Sequence, residues 1–277
     1  MLYANPTPEL ILAAAKNHHE GSYSSNCSGL IENITALVSD LFAGRHPNYQ
    51  KADLSYHNFD HTLLATQCFI DLAAGRIKNG AQPTFTGRQF ALGFTAIMLH
   101  DCGYLKVRTD QSGTGAKYTA THVERSCAMA SSFLPSLGCD EAEIAGVLNA
   151  IRCTGLTSKI ELLTFRNDVE RVTGCMVATA DYLGQMADPA YPGKLNGLFA
   201  EFEESNDFNN VPTEKRLFHS AQELMVKTRG FWTFFALPKL EKDFEGVYRL
   251  LAQPDGRNPY VESVDLNLSV IDAGVLR

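Results

Sequence analysis

Five residues carry the chemistry this sequence can do. His100 and Asp101 stand side by side after the apolar run Ile97-Met98-Leu99, and Cys102-Gly103 follows. An imidazole and a carboxylate cost free energy when buried without partners. Together they can ligate one divalent ion. Neighbouring helical residues point about 100° apart, so both reach a single ion only where it sits by the helix end, and Gly103 is consistent with an end there. His57 and His61 are four residues apart, on one face of a helix if they share one. A helix starting near Asn58 leaves His57 at its lip and turns His61 inward. His61 can then ligate a metal while His57 stays free to give a proton to a leaving oxygen. Asp181 closes the apolar stretch 177–180, where a lone carboxylate is costly unless paired.

Each member has a plainer reading: two surface histidines, a polar pair ending a helix, a carboxylate in a salt bridge. Their combination is more specific than any of them. His61, His100, Asp101 and Asp181 make two imidazoles and two carboxylates, a protein shell that leaves positions open for water. Such donors suit Mn, Fe, Ni or Zn, and the carboxylates also suit Mg.

The elements that must position these residues read as helices. Pro8 at a first helical position, with Thr7 as its cap, opens one. Leu30, Ile31, Ile34, Leu37, Val38 and Leu41 follow at amphipathic spacing. Residues 60–74 repeat an apolar face through Leu64, Cys68 and Leu72. Residues 90–99 are almost wholly apolar, as in a central buried helix. Further helices are expected over 122–134, from Asp140 through Ile151, and over 165–186, with Pro189 and Pro192 breaking the last. Others are expected over 197–204, 214–228 and 239–251. Residues 22–28 and 106–117 read as loops. His18-His19 lies on a polar helix end and reads as surface. The cluster Phe231-Trp232-Thr233-Phe234-Phe235 reads as core, with a pocket wall or an oligomer contact as alternatives. No sustained period-2 alternation, internal repeat or linker is present. The expectation is an all-α, single-domain helical bundle spanning 1–277.

Bulk properties narrow the partners. In 277 residues, 45% are hydrophobic and 20% charged, with a net charge of −7. That balance gives no electrostatic footprint for duplex nucleic acid or an anionic membrane. It still admits a small anionic substrate, because a metal supplies local positive charge. Seven cysteines without a CxxC motif suggest buried thiols in a reducing compartment. No leader pattern and no run long enough to span a bilayer is seen, so a cytoplasmic protein is expected.

The order histidine, histidine-aspartate, aspartate resembles the HD-domain metal-dependent phosphohydrolase superfamily. Tyr56-His57-Asn58-Phe59-Asp60-His61 is similar to the YHNxxH signature of the cyclic-nucleotide phosphodiesterases within it. The resemblance covers an HD-like core of about 55–188, with flanking helices at both ends. It implies that His61, His100, Asp101 and Asp181 are metal ligands, that Asp101 is the carboxylate able to bridge two metals, and that His57 protonates the leaving alkoxide. Asn58 would orient the loop or a neighbouring group. His122 matches a helix whose histidine binds a second metal or the substrate phosphate. Lys106 and Arg125 are candidates for phosphate contacts, together with Arg108 and Lys117.

The chain departs from the phosphodiesterase pattern at two places. Cys102 to Lys106 holds none of the histidine expected a few residues after the HD pair, and Arg152-Cys153-Thr154 stands where binuclear members carry a histidine pair. One tightly bound divalent ion is therefore expected, with a weaker second site at Asp101 through waters. The implied activity is hydrolysis of a small phosphoester, such as a nucleotide or cyclic nucleotide, by metal-activated water. The alternative is a non-catalytic HD module that binds metal or nucleotide. A di-iron oxygenase would need more histidines than the sequence places.

Overall fold

Ten α-helices make up most of the regular structure in the computed structural model, which describes residues 6–23 and 28–274; no strand occurs among them. In chain order these are α1 (Pro8–Ser22), α2 (Ser28–Phe42), α3 (Phe59–Lys78), α4 (Gly87–Leu99), α5 (His122–Phe133), α6 (Glu141–Arg152), α7 (Asp168–Met186), α8 (Tyr191–Phe208), α9 (Ala221–Phe231) and α10 (Pro259–Asp272). The all-α expectation holds. The expected 22–28 loop lies largely outside the described residues, as does Cys27. The other six cysteines are free and buried.

Local chemistry sets most helix starts. Thr7 caps α1 with Pro8 in its first turn. Thr86 with Gln89 and Asp140 with Glu143 form reciprocal capping boxes on α4 and α6, each satisfying two otherwise orphaned backbone donors. Asn58 caps α3 by accepting the His61 amide at 3.1 Å. The helix therefore starts where the sequence reading places it, with His57 outside and His61 in the first turn.

α3 and α4 lie at the centre. The apolar pattern predicted this for α4, but α3 is buried just as deeply, including Thr62, Thr66 and Gln67. The Thr66 hydroxyl donates to the Thr62 carbonyl at 2.7 Å, so its polarity is absorbed within the helix. α7 makes the most extensive packing against α3. Gly184 permits it: a Cβ there would stand 2.6 Å from the Ala65 Cα, closer than packed atoms tolerate. α1 and α2 on one side, and α8 to α10 on the other, add to the same buried core.

Several boundaries differ from the sequence reading. Pro192 sits in the first turn of α8 rather than breaking a helix, because its missing amide is unneeded there. Residues 239–251 are not one helix. A π-turn, Lys239–Asp243, is followed by Glu245 and Gly246 at φ 56° and 65° and then by a 3₁₀ turn, Val247–Leu251. α9 begins only at Ala221, where Ser220 caps it. The aromatic cluster divides: Trp232 is buried, Phe231 stacks on Tyr182, and Phe234 is 82% exposed. His19 is buried rather than on the surface, and His18 packs on the Phe90 ring at 4.8 Å.

Candidate metal centre

Three helices bring four donors together. His61 comes from the first turn of α3, His100 from the C-terminal end of α4, Asp101 from the residue after it, and Asp181 from α7. The His61 Nε2 lies 3.3 Å from the His100 Nε2, 3.1 Å from the Asp101 Oδ2 and 3.2 Å from the Asp181 Oδ1. The His100 Nε2 is 3.4 Å from each of those two oxygens. All four side chains are largely or wholly buried.

The donor set fits a divalent ion. Nitrogen and oxygen ligands about 2.0–2.2 Å from one ion stand about 3.0–3.4 Å from each other, and the five separations here fall in that range. The Asp101 Oδ2 is buried and makes no well-formed hydrogen bond, with the His61 and His100 Nε2 atoms 3.1 and 3.4 Å away, a costly state unless a cation, imidazolium or metal ion, is its partner. The His100 Nδ1 is 2.7 Å from the Ile97 carbonyl. It must donate there, which leaves Nε2 as the lone-pair nitrogen facing the site.

Electrostatics within the group run the same way. Burial works against the His61 imidazolium, but Asp101 and Asp181 outweigh it and hold its pKa up to about 10. His100 is raised too: burial opposes the charge, and the two carboxylates overcome it. Burial opposes ionisation of the carboxylates as well, yet the two imidazoles keep Asp101 well below the usual range and Asp181 at about 2. Without a cation, protons on the histidines compensate the carboxylate charge.

Each residue of the Tyr-His-Asn run has its own task. The Tyr56 hydroxyl donates to the Gln185 Oε1 at 2.5 Å, and Gln185 donates to the Asp181 carbonyl at 3.1 Å and to its Oδ1 at 3.4 Å. The His57 Nδ1 lies 2.6 Å from the Glu201 Oε2, while the Tyr56 amide donates to the other oxygen of that carboxylate at 2.6 Å. Glu201 is only 4% exposed. It lies on α8, outside the expected 55–188 core, and no sequence motif flagged it. The weak signal available was an acidic residue near the apolar positions of a helix otherwise read as flanking.

The remaining candidates are placed differently. The His122 Nε2 is 3.8 Å from the Asp101 Oδ1, and its Nδ1 is 2.7 Å from the Thr119 carbonyl. Burial pushes its pKa down against the pull of Asp101. It borders the donor group without joining it. Lys106 is buried and bound to Asp53 at 2.9 Å and to the Gly113 carbonyl at 2.5 Å. Arg125 donates to the Gly103 and Leu105 carbonyls at 2.6 and 2.9 Å and lies over the Tyr118 ring. Both cations brace the segment after Asp101. Lys117 is engaged by Asp110 and Ser112, and Arg108 by the carbonyls of Gly44, His46 and Pro47. These partners explain why charges that read as candidate phosphate contacts are spent on structure.

Fold and site together define an all-α protein whose central helices converge on a buried group of two imidazoles and two carboxylates. The chain belongs to the Npun_R2479-like family, whose model matches residues 9–235. The match takes in the four donors, His57 and Glu201. A search of curated proteins finds no match. No helix among the described residues is long and apolar enough to cross a membrane.

Proposed function

We propose that this protein is a metal-dependent phosphohydrolase of the HD type that cleaves a small phosphoester, with nucleotides and cyclic nucleotides the first candidates. The observation that carries the reading is the convergence of His61, His100, Asp101 and Asp181 at donor spacing, with the Asp101 Oδ2 buried among them without a well-formed hydrogen bond. When bound, a divalent ion (Mn, Mg, Fe, Ni or Zn) supplies Lewis acidity that activates water and polarises a phosphoryl oxygen. The Asp101 Oδ1 and the His122 Nε2, 3.8 Å apart, would hold a second, weaker ion through waters.

The chain's own residues do the rest. The Glu201 carboxylate accepts the His57 Nδ1 proton and so leaves Nε2 as the nitrogen that carries a proton to the leaving oxygen. The buried Glu201 offsets the charge of the His57 imidazolium, which is discharged as its Nε2 proton passes to the leaving oxygen. Tyr56 holds the Asp181 carboxylate in place through Gln185. The 16% exposure of the His57 side chain keeps the proton donor within reach of solvent and substrate.

The test is metal content together with hydrolysis of a generic phosphodiester and a nucleotide panel. Asp101→Ala is expected to abolish both. Retention of metal and turnover by that variant would sink the proposal. Tight metal binding without turnover on any phosphoester would select the non-catalytic module instead.

A further inference from the structure

The turn after the histidine-aspartate pair, Cys102–Tyr104, packs one aromatic ring against two imidazoles, whose own centroids are 6.4 Å apart. The Tyr104 ring stacks on His57 at a centroid distance of 4.6 Å and an interplanar angle of 19°. It stacks on His122 at 4.4 Å and 14°. The two histidines reach it from different elements, His57 from the segment before α3 and His122 from the first turn of α5. Neither belongs to the four-donor group, and both border it.

Each imidazole is tied at Nδ1 by one hydrogen bond, His57 to Glu201 and His122 to the Thr119 carbonyl. One such bond fixes one ring atom and leaves the ring plane free to tilt about it. Parallel contact with a third ring removes that freedom, since offset-stacked aromatic pairs have a preferred plane and spacing. Tyr104 is 3% exposed, so it cannot itself swing aside. Its ring contacts are to the two histidines.

We infer that Tyr104 is a positioning residue: by stacking on both His57 and His122 it fixes both ring planes and aims the free Nε2 of each toward the site. The inference rests on the hydrolase reading for its kinetic consequence, but the stack acts on the histidines whether or not turnover follows. The aromatic face does the work, and the hydroxyl does not. Tyr104 stands in the segment where the phosphodiesterase pattern would have a histidine, so an aromatic clamp takes a place that a ligand would otherwise fill.

Two variants separate the contributions, Tyr104→Phe keeping the ring and Tyr104→Leu removing it. Side-chain ¹³C and ¹⁵N relaxation NMR of the metal-free and Zn-loaded full chain reads histidine ring motion without requiring turnover. Wild type and Y104F are expected to show rigid rings at His57 and at His122, each still bonded through Nδ1. Y104L is expected to show mobile rings at those two residues, with His61 and His100 unchanged. On turnover, Y104L is expected to lower kcat about tenfold for an alkyl phosphoester, whose leaving group needs a proton, and little for a nitrophenyl ester. KM and metal content should stay at wild-type values. If Y104L does not fold, Tyr104→Met, flexible and unbranched, replaces it. Rigid His57 and His122 rings in Y104L would overturn the inference, as would a defect in Y104F equal to that of Y104L. If no phosphoester is hydrolysed by the wild type, the hydrolase reading fails while the NMR result still decides the clamp.

Discussion

At the scale of single residues, the Asp101 Oδ2 and the Glu201–His57 contact carry the most information. The first marks where a cation could be held; in the proposed hydrolysis the second marks which histidine would handle a proton. Removing the Glu201 charge while keeping its shape separates these roles. Glu201→Gln is expected to lower kcat about ten- to a hundredfold, with metal content unchanged, measured on an ester with a poor leaving group. Equal activity would show that His57 needs no charged partner. The donor group also predicts a pH effect. The carboxylates raise the pKa of His61 and His100, so in the metal-free protein a proton sits where the proposed ion would bind. Metal binding displaces it, and apparent affinity should rise with pH, by about tenfold per unit for each proton released, between about pH 6 and 8. Titration calorimetry in buffers of different ionisation enthalpy checks the proton count. A pH-independent affinity would contradict the protonation scheme.

At the scale of elements, the site depends on how closely the turn after Asp101 approaches α5. The Gly103 amide donates to the Ser126 hydroxyl at 2.8 Å, and Ser126 in turn donates to the His100 carbonyl. A Cβ on Gly103 would stand 1.9 Å from the His122 carbonyl oxygen and 2.6 Å from the Ser126 amide. Gly103→Ala must therefore push α5 away. A loss of about 2–4 kcal/mol in unfolding free energy is expected, with weaker metal binding because His100 and Asp101 lead into that turn. An unchanged denaturant midpoint would refute this account. The segment 106–118 belongs to the same scale. Glu204 on α8 accepts from the Thr114 amide and hydroxyl, Asp53 accepts from the Gly115 amide, and Lys117 closes on Asp110. A stretch whose composition reads as a simple loop is thus tied down at several points. One helix, α8, holds both this segment and His57.

At the scale of the whole molecule, a net charge of −7 has to coexist with a proposed anionic substrate. Lys106, Arg125, Lys117 and Arg108 are all engaged elsewhere, so the attraction must come from the metal and its immediate surroundings. The fold also carries a titrating pair far along the chain from the site residues. Burial, reinforced by the neighbouring His19, lowers the His18 pKa to about 4. The unfolded chain takes up a proton below its ordinary value near 6.5, while the folded protein resists until about 4. Stability is therefore lost as pH falls through that window, by about 1–3 kcal/mol after allowing for partial solvation. His18→Gln should flatten the decline in thermal midpoint between about pH 6.5 and 4; an undiminished decline would assign it to other groups.

The sequence by itself determined the helical class, the start of α3 at Asn58 and the four donors. Those features depend on local periodicity, capping chemistry and a short list of residue types able to share an ion. The burial of His61 followed once the cap fixed which way the first turn faced. Only the tertiary structure decided the rest. Glu201 meets His57 across 144 positions of chain, and no local pattern encodes such a contact. Lys106 and Arg125 look like phosphate ligands in one dimension because charge near a motif says nothing about competing partners. In three dimensions, Asp53 and the carbonyls of Gly113, Gly103 and Leu105 claim them. The break at Glu245-Gly246 and the burial of His19 have the same origin: packing overrides the helical and polar preferences that the local sequence expresses.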